Sequence, residues 1–299
     1  MTIMKLVYFG TPQFSADFLE KILTDPDLKD LEVTLVVTQP DKPVGRKQII
    51  TPSPVKVLAQ SHGLQVITAL PDPDSDPYRA LTEADVALVY AYGRIIPAHI
   101  LALPKLGFWN IHPSLLPKYR GASPTAYPLL NGDTTTGVTL MQMDEKMDHG
   151  AIIAQEEYEI GPNEKRPDLE RELTKMGFEM FKHVILTQSE AAGKNLGVPP
   201  AQQDHSQATF TKLLKKDDGF VELSDIYNAL EGNGASIHNK FRAFFPWPGI
   251  WTLRPAQGKQ QRMKITDCSL VEGKLVINKV QFEGKNEIVF DTKLLSNST

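Results

Sequence analysis

Cysteine is nearly absent: Cys268 is the one cysteine in 299 residues, so the chain can form neither an intrachain disulfide nor a thiolate cluster for zinc. That suits a reducing compartment. Cys268 lies in a strand-like run with no helix N-terminus to activate it, and it reads as packing. Also missing is any uncharged apolar run long enough to span a bilayer. The N-terminus enters directly into an apolar strand pattern and lacks the charged, apolar, small-residue order of a secretion leader. The expectation is a cytoplasmic protein with no membrane partner. A formal net charge of −4 excludes a globally basic nucleic-acid binder. The charge is uneven, however: residues 207–299 hold 13 Lys+Arg against 10 Asp+Glu, net +3, and the residues before them hold 19 against 26, net −7. There is no internal repeat, no low-complexity segment, and neither a Walker nor a G-x-G-x-x-G pattern. Gly10-Thr11-Pro12 sits where such a loop would be, and reads as a tight turn with proline opening a helix.

What is present is an ordinary globular composition, 41% hydrophobic and 23% charged, in a chain long enough for two domains. Short apolar, β-branched runs at 5–9, 33–38, 65–67, 86–90 and 108–112 alternate with helical patterns at 13–23, 54–62, 78–83, 97–103 and 169–188. Such alternation predicts an α/β fold, a doubly wound and mostly parallel sheet. Segments 136–143 and 151–160 flank a turn-rich stretch and read as a hairpin with Asp148 near its tip. The division expected is a catalytic domain at 1–190, a linker at 191–206 rich in Gly, Pro and Gln, and a second domain at 207–299. In that second domain 223–245 looks helical, and 249–253, 261–268, 274–280 and 287–293 look like successive strands, for which a small β-barrel is the natural closure.

Chemistry concentrates in Asn110-Ile111-His112-Pro113-Ser114-Leu115-Leu116-Pro117 and, some way on, Met147-Asp148-His149-Gly150. Asn110 and His112 are two apart at the end of an apolar run, so on a strand they share one face. Strand ends are where α/β proteins place their chemistry. An amide can donate to a developing oxyanion, imidazole exchanges protons near neutrality, and a nearby carboxylate can orient or charge it.

These two segments, with Lys118-Tyr119-Arg120-Gly121-Ala122 and Thr136-Gly137-Val138-Thr139-Leu140-Met141-Gln142-Met143-Asp144, closely resemble the folate-dependent formyltransferase family. Three further segments are similar to its tRNA-acting branch, the methionyl-tRNA formyltransferases: Phe9-Gly10-Thr11-Pro12-Gln13-Phe14; Thr38-Gln39-Pro40-Asp41-Lys42-Pro43-Val44-Gly45-Arg46 running into Pro52-Ser53-Pro54-Val55-Lys56; and Arg242-Ala243-Phe244-Phe245-Pro246-Trp247-Pro248-Gly249. The resemblance implies formyl transfer from 10-formyltetrahydrofolate to the amino group of methionyl-initiator tRNA. It implies Asn110, His112 and Asp148 as catalytic residues and Ser114, Leu115, Leu116 and Pro117 as folate contacts. No metal and no obligate protein partner are expected. It also implies that the C-terminal domain is an oligonucleotide-binding-like barrel facing tRNA. The basic loop around Lys42-Pro43-Val44-Gly45-Arg46-Lys47, flexible by composition, then offers Arg46 as a contact to the tRNA acceptor end, since guanidinium pairs with phosphate or stacks on bases. Phe244, Phe245, Trp247 and Trp251 have faces for stacking on RNA, but aromatics this dense more often form a core.

Two positions depart from the family's pattern. His149 stands where a small hydroxyl residue commonly follows the acidic one, setting a second imidazole beside Asp148. Pro128 interrupts 124–130, a segment normally helical. Two rival readings carry different discriminants: a formyltransferase for an amino sugar nucleotide, which needs a nucleotide pocket in place of an RNA surface, and a catalytically silent folate- or RNA-binding protein, for which the three polar positions would have no use.

Overall fold

The computed structural model describes residues 3–45, 47–190, 200–256 and 259–296. In chain order the elements are β1 (Met4–Gly10), α1 (Gln13–Thr24), β2 (Leu31–Val37), β3 (Lys42–Val44), β4 (Ile49–Thr51), α2 (Pro54–Ser61), β5 (Val66–Ile67), α3 (Asp76–Glu83), β6 (Val86–Tyr90), α4 (Ala98–Leu101), β7 (Phe108–His112), β8 (Arg120–Gly121), α5 (Ala126–Asn131), β9 (Thr135–Gln142), β10 (Ile152–Glu159) and α6 (Arg166–Glu190). Beyond α6 come β11 (Phe210–Thr211), α7 (Leu223–Glu231), α8 (Ala235–Phe244), β12 (Ile250–Ala256), β13 (Lys259–Val271), β14 (Lys274–Phe282) and β15 (Glu287–Val289). Backbone contacts divide the chain into two compact units. The first takes 1–122, 137–158 and 171–210; the second takes 123–136, 159–170 and 211–299.

In the first unit seven strands lie in the order β10-β9-β7-β6-β1-β2-β5. The pairs β7–β6, β6–β1, β1–β2 and β2–β5 are parallel, and β9 runs antiparallel to β7. The cause is legible in the runs themselves: β6 and β7 are buried at every position, as strands covered by helices on both faces must be. Side-chain alternation splits the core in two. Leu6, Tyr8, Leu88, Tyr90, Trp109 and Ile111 face one cluster, which Phe18, Phe178 and Phe181 complete. Val7, Phe9, Ala87, Val89 and Phe108 face the other, with Leu81 and Ile100. Since Asn110 and His112 keep step with Phe108, they stand on this second face, at the C-terminal end of β7.

In the second unit α5 packs on α8, and β12, β13, β14 and β15 form an antiparallel sheet in that order. The C-terminal strands therefore build the smaller β domain that the turn spacing predicts. Among the described residues β12 and β15 do not pair; Arg254 of β12 instead donates to Leu294 O at 3.0 Å. A paired irregularity shifts the β13–β14 register between Ile265 and Cys268. It moves the buried positions of β13 from a spacing of two (Met263, Ile265) to three (Cys268). Cys268 is thereby buried, and desolvation pushes its thiol up to about 12, in keeping with a packing role.

Four expectations need correction. The segment 42–51 is a short antiparallel hairpin, β3 with β4, instead of a loop; all six strand residues are exposed, so no apolar alternation announced it. Residues 191–199 of the expected linker lie outside the described residues, but its remainder is anchored: Ala201 bridges to Ile152 and Gln203 is buried in the first unit. Pro128 does not interrupt the helix. It is the third residue of α5, in the first turn, where the missing N–H has no intrahelical partner to lose. Of the four aromatics, Phe244 is core, whereas Trp247 is 52% exposed.

Candidate active site

The site is built on the end of β7. Asn110 and His112 are held between β6 and β9, Asn110 in register with Val89 and Met141 and His112 with Thr139, and both are buried. His112 Nε2 lies 3.0 Å from Tyr119 O. A carbonyl only accepts, so Nε2 carries the proton and donates. The opposite nitrogen, Nδ1, points at Asp148 Oδ1 across 3.7 Å, an ion-pair distance beyond a hydrogen bond. Both ring nitrogens therefore face acceptors, and only a doubly protonated ring can donate toward both.

Asp148 arrives from the connection between β9 and β10. Its backbone is left-handed (φ 49°), an unusual state for a residue with a Cβ but one aspartate tolerates. Three contacts over-determine it: Gly121 N donates to Asp148 Oδ2 at 2.7 Å, and the Gln203 amide donates to Asp148 O at 3.0 Å and to Gly150 O at 2.7 Å. Gly150 is required by close approach, for a Cβ there would collide with Gln142 O. His149, the departure from the family's pattern, turns away from Asp148; its Nδ1 donates to Asp144 Oδ2 at 2.6 Å.

The segment Ser114 to Pro117 is anchored more than it is open. Ser114 is fully buried and its hydroxyl donates to Lys118 O at 2.7 Å. Thr139 Oγ1 donates to Ser114 O at 2.6 Å and accepts from Leu116 N at 3.2 Å, and Gln155 Nε2 donates to Leu116 O at 3.0 Å. Leu116 is buried, while Leu115 and Pro117 are partly exposed. Leu115 also lies where a Cβ at Gly137 would sit, 2.5 Å from its Cδ2. Arg46 lies outside the described residues. Among the described residues no group of three or more His, Cys, Asp and Glu is arranged to hold a metal ion, and no helix is long and apolar enough to cross a membrane.

Residues 4–185 match the formyl transferase family. The chain belongs to that family. Similar relatives are the methionyl-tRNA formyltransferase of Roseiflexus sp. (strain RS-1), 39% identical over 84% of this chain and 73% of the relative, and that of Synechococcus sp. (strain JA-2-3B'a(2-13)), 42% identical over 81% and 72%. Among solved structures, a 4-N formyltransferase from Francisella tularensis superimposes with a TM-score of 0.62 at 19% identity, over 87% of this chain and 96% of that one. Phosphoribosylglycinamide formyltransferase from Bacillus halodurans does so with 0.52 at 22% identity, over 65% and 100%. At such identities the likeness is one of fold.

For formyl transferase chemistry the arrangement offers a side-chain amide and an imidazole on one buried strand end, met by a carboxylate from the β9–β10 connection. Three supporting groups were not visible in the sequence: the Gly121 N–H, the Tyr119 carbonyl and the Gln203 amide. Two of them are backbone atoms, which leave no mark in residue identity, and Gln203 stands in a stretch whose composition reads as a connector. The Gly121 and Tyr119 positions lie inside the family-like run, which was the available signal.

Proposed function

We propose that this chain transfers the formyl group of 10-formyltetrahydrofolate to the free α-amine of methionyl-initiator tRNA, in the cytoplasm, with no obligate protein partner. What carries the reading is the convergence of His112 and Asp148 at 3.7 Å on the strand end that also bears Asn110, in a chain some 40% identical to relatives that bear the methionyl-tRNA formyltransferase name. The 1–190 region, apart from 123–136 and 159–170, which fold with the second unit, acts as the formyltransferase domain and 207–299 as the tRNA-facing one, joined through 191–206, of which Ala201 and Gln203 are anchored on the first unit.

The folate supplies an activated formyl carbon, on which attack by the amine builds negative charge at oxygen. The residues here fit that demand. Asn110 has N–H donors for the oxyanion. His112, its Nε2 committed to Tyr119 O, is charged when Nδ1 also takes a proton toward Asp148, and a fixed cation in a site this buried stabilises the same oxygen or yields a proton to the leaving nitrogen. Asp148 keeps that cation in place and accepts the proton released by the amine. Leu115 and Pro117, partly exposed beside the strand end, suit contact with a flat heterocycle, with Ser114 and Leu116 acting through the backbone they fix. Arg46 serves as a contact to the tRNA acceptor end.

Formyl transfer measured with charged initiator tRNA and, in parallel, with amino sugar nucleotides tests the reading. Turnover on the tRNA alone is expected; turnover on the sugar nucleotide alone would transfer the assignment to the small-amine branch of the family.

A further inference from the structure

Joined to the Asp148 backbone carbonyl, a chain of polar side chains runs through Gln203 and Arg120 to the exposed His205 in the first unit. The Gln203 amide that binds Asp148 O and Gly150 O accepts, through its Oε1, a bond from Arg120 Nη2 at 2.6 Å. Gln203 and Arg120 are 5% and 4% exposed, so neither has water to replace a lost partner. Arg120 Nη2 also lies 2.9 Å from His205 Nδ1. The His205 ring stacks on His149, centroids 3.9 Å apart and planes 8° apart, and His149 in turn donates to Asp144.

The donor inventory fixes one protonation state. A guanidinium only donates, so His205 Nδ1 must be an acceptor and its ring neutral for the bond to exist. A proton on Nδ1 would replace that bond with an N–H facing a guanidinium, and would lay a cation flat on a second imidazole. Around His205 the facing charges are His149, Arg120 and Lys146, which oppose its protonation, and Asp144 and the adjacent Asp204, which favour it, the Asp204 carboxylate also accepting from Ser206 N and Oγ. His205 is itself exposed; the partial desolvation of its packed ring first, then the neighbours that oppose the proton, hold its pKa below the usual 6.5.

We propose that Arg120, Gln203, His205 and His149 are positioning residues for Asp148, and that the stacked imidazole pair makes this support fail on acidification. The proposal rests on the reading that Asp148 acts in formyl transfer. Protonation of His205 repels Arg120, which loosens its hold on Gln203, and the Asp148 backbone loses an anchor that holds it in its left-handed conformation. The Asp148–His112 separation then widens with no change in either residue. His149, which in a hydroxyl-bearing relative would have no ring to stack, is what makes the device particular to this chain.

The test is kcat and KM for formyl transfer to methionyl-tRNA between pH 5 and 8, with thermal melting to exclude variants that do not fold. Gln203→Ala should lower kcat by about 10- to 100-fold, the scale for misplacing a reacting group by about 1 Å, while KM stays within a few-fold. His205→Ala should lose activity across the range. His205→Gln, whose amide oxygen can accept from Arg120 but cannot titrate, should recover most of it and should lack one acid step of the wild-type profile. His149→Thr should move that step to higher pH, because a ring that opposes the proton is gone. A wild-type kcat in Gln203→Ala, or a His205→Gln profile superimposable on wild type, overturns the proposal. Asp148→Asn separates it from its premise: if that variant is active the premise fails, and if it is inactive while Gln203→Ala is not, the positioning role alone fails.

Discussion

Every residue of β7 is buried, whereas β14 alternates exposed and buried along most of its length. The first strand is covered on both faces by helices; the second has one face on its core and one in water. A polar residue in β7 is therefore conspicuous, since Asn110 and His112 interrupt a run in which burial otherwise demands apolar side chains. In β14 the polar residues Lys274, Asn278, Lys279 and Gln281 fall on exposed positions, where a one-sided strand already expects them. A buried sheet exposes its chemistry in the sequence, and a one-sided sheet hides it.

Truncation breaks or upholds this difference most directly. Trp109→Ala removes a side chain with no exposed surface from the core, and should cost about 3–5 kcal/mol in urea unfolding. Val276→Ala, on the exposed face of β14 at 41% exposure, should stay within about 0.5 kcal/mol. Equal losses would mean that the two sheets are not covered as described. The candidate site at the end of β7 gives the next effect: His112→Ala or Asp148→Asn should lower turnover by about 10² or more, with the fold and folate affinity largely kept. Turnover within a few-fold of wild type in both variants would remove these residues from the chemistry.

A second contrast sets two buried histidines against each other. His112 faces a carboxylate. His238 of α8 is equally buried but sits by Arg242 and Lys165, and burial first, then those cations, bring its pKa to about 4. The unfolded chain, with a histidine near 6.5, then binds more protons than the folded one between those values. Stability should fall as pH drops from about 6.5 to 4, by roughly 3 kcal/mol at the acid end. His238→Asn should flatten that slope in urea unfolding measured at each pH; an unchanged slope assigns it to other groups.

What the sequence disclosed obeys the same physics. β6 was bounded to the residue because a covered parallel strand is short, apolar and rich in β-branched residues, and β7 because its apolar Phe108, Trp109 and Ile111 stand between a turn glycine and Pro113. The β3–β4 hairpin escaped because its exposed strands carry no alternation. Asn110, His112 and Asp148 were legible as residue types at a strand end and a turn, but the order holding Asp148 was not. It depends on Gln203 and on the Gly121 N–H, as the orientation of His112 depends on the Tyr119 carbonyl, contacts that only the three-dimensional chain brings together. The β13–β14 irregularity was equally silent, although the packing role read for Cys268 agrees with its burial.

The smallest expected effect concerns the surface, where sequence patterns say least. The stretch 210–216 exposes Phe210 and Leu213, at 68% and 70%, with Lys212, Lys215 and Lys216 also exposed. Apolar groups left in water beside three cations suit a polyanion whose bases can stack, and this stretch opens the net-positive part of the chain. Each cation that contacts phosphate releases counterions on binding, so Lys→Ala at any one of the three should flatten the salt dependence of tRNA affinity by about one unit of slope at most. Arg46→Ala, in the preceding basic segment, should act on the same scale. Folate affinity should not move in any of them, because the change is confined to the partner's phosphates. Salt slopes identical to wild type across all four variants would assign tRNA binding to other cations, and would leave the exposed face of the C-terminal sheet as the surface to probe next.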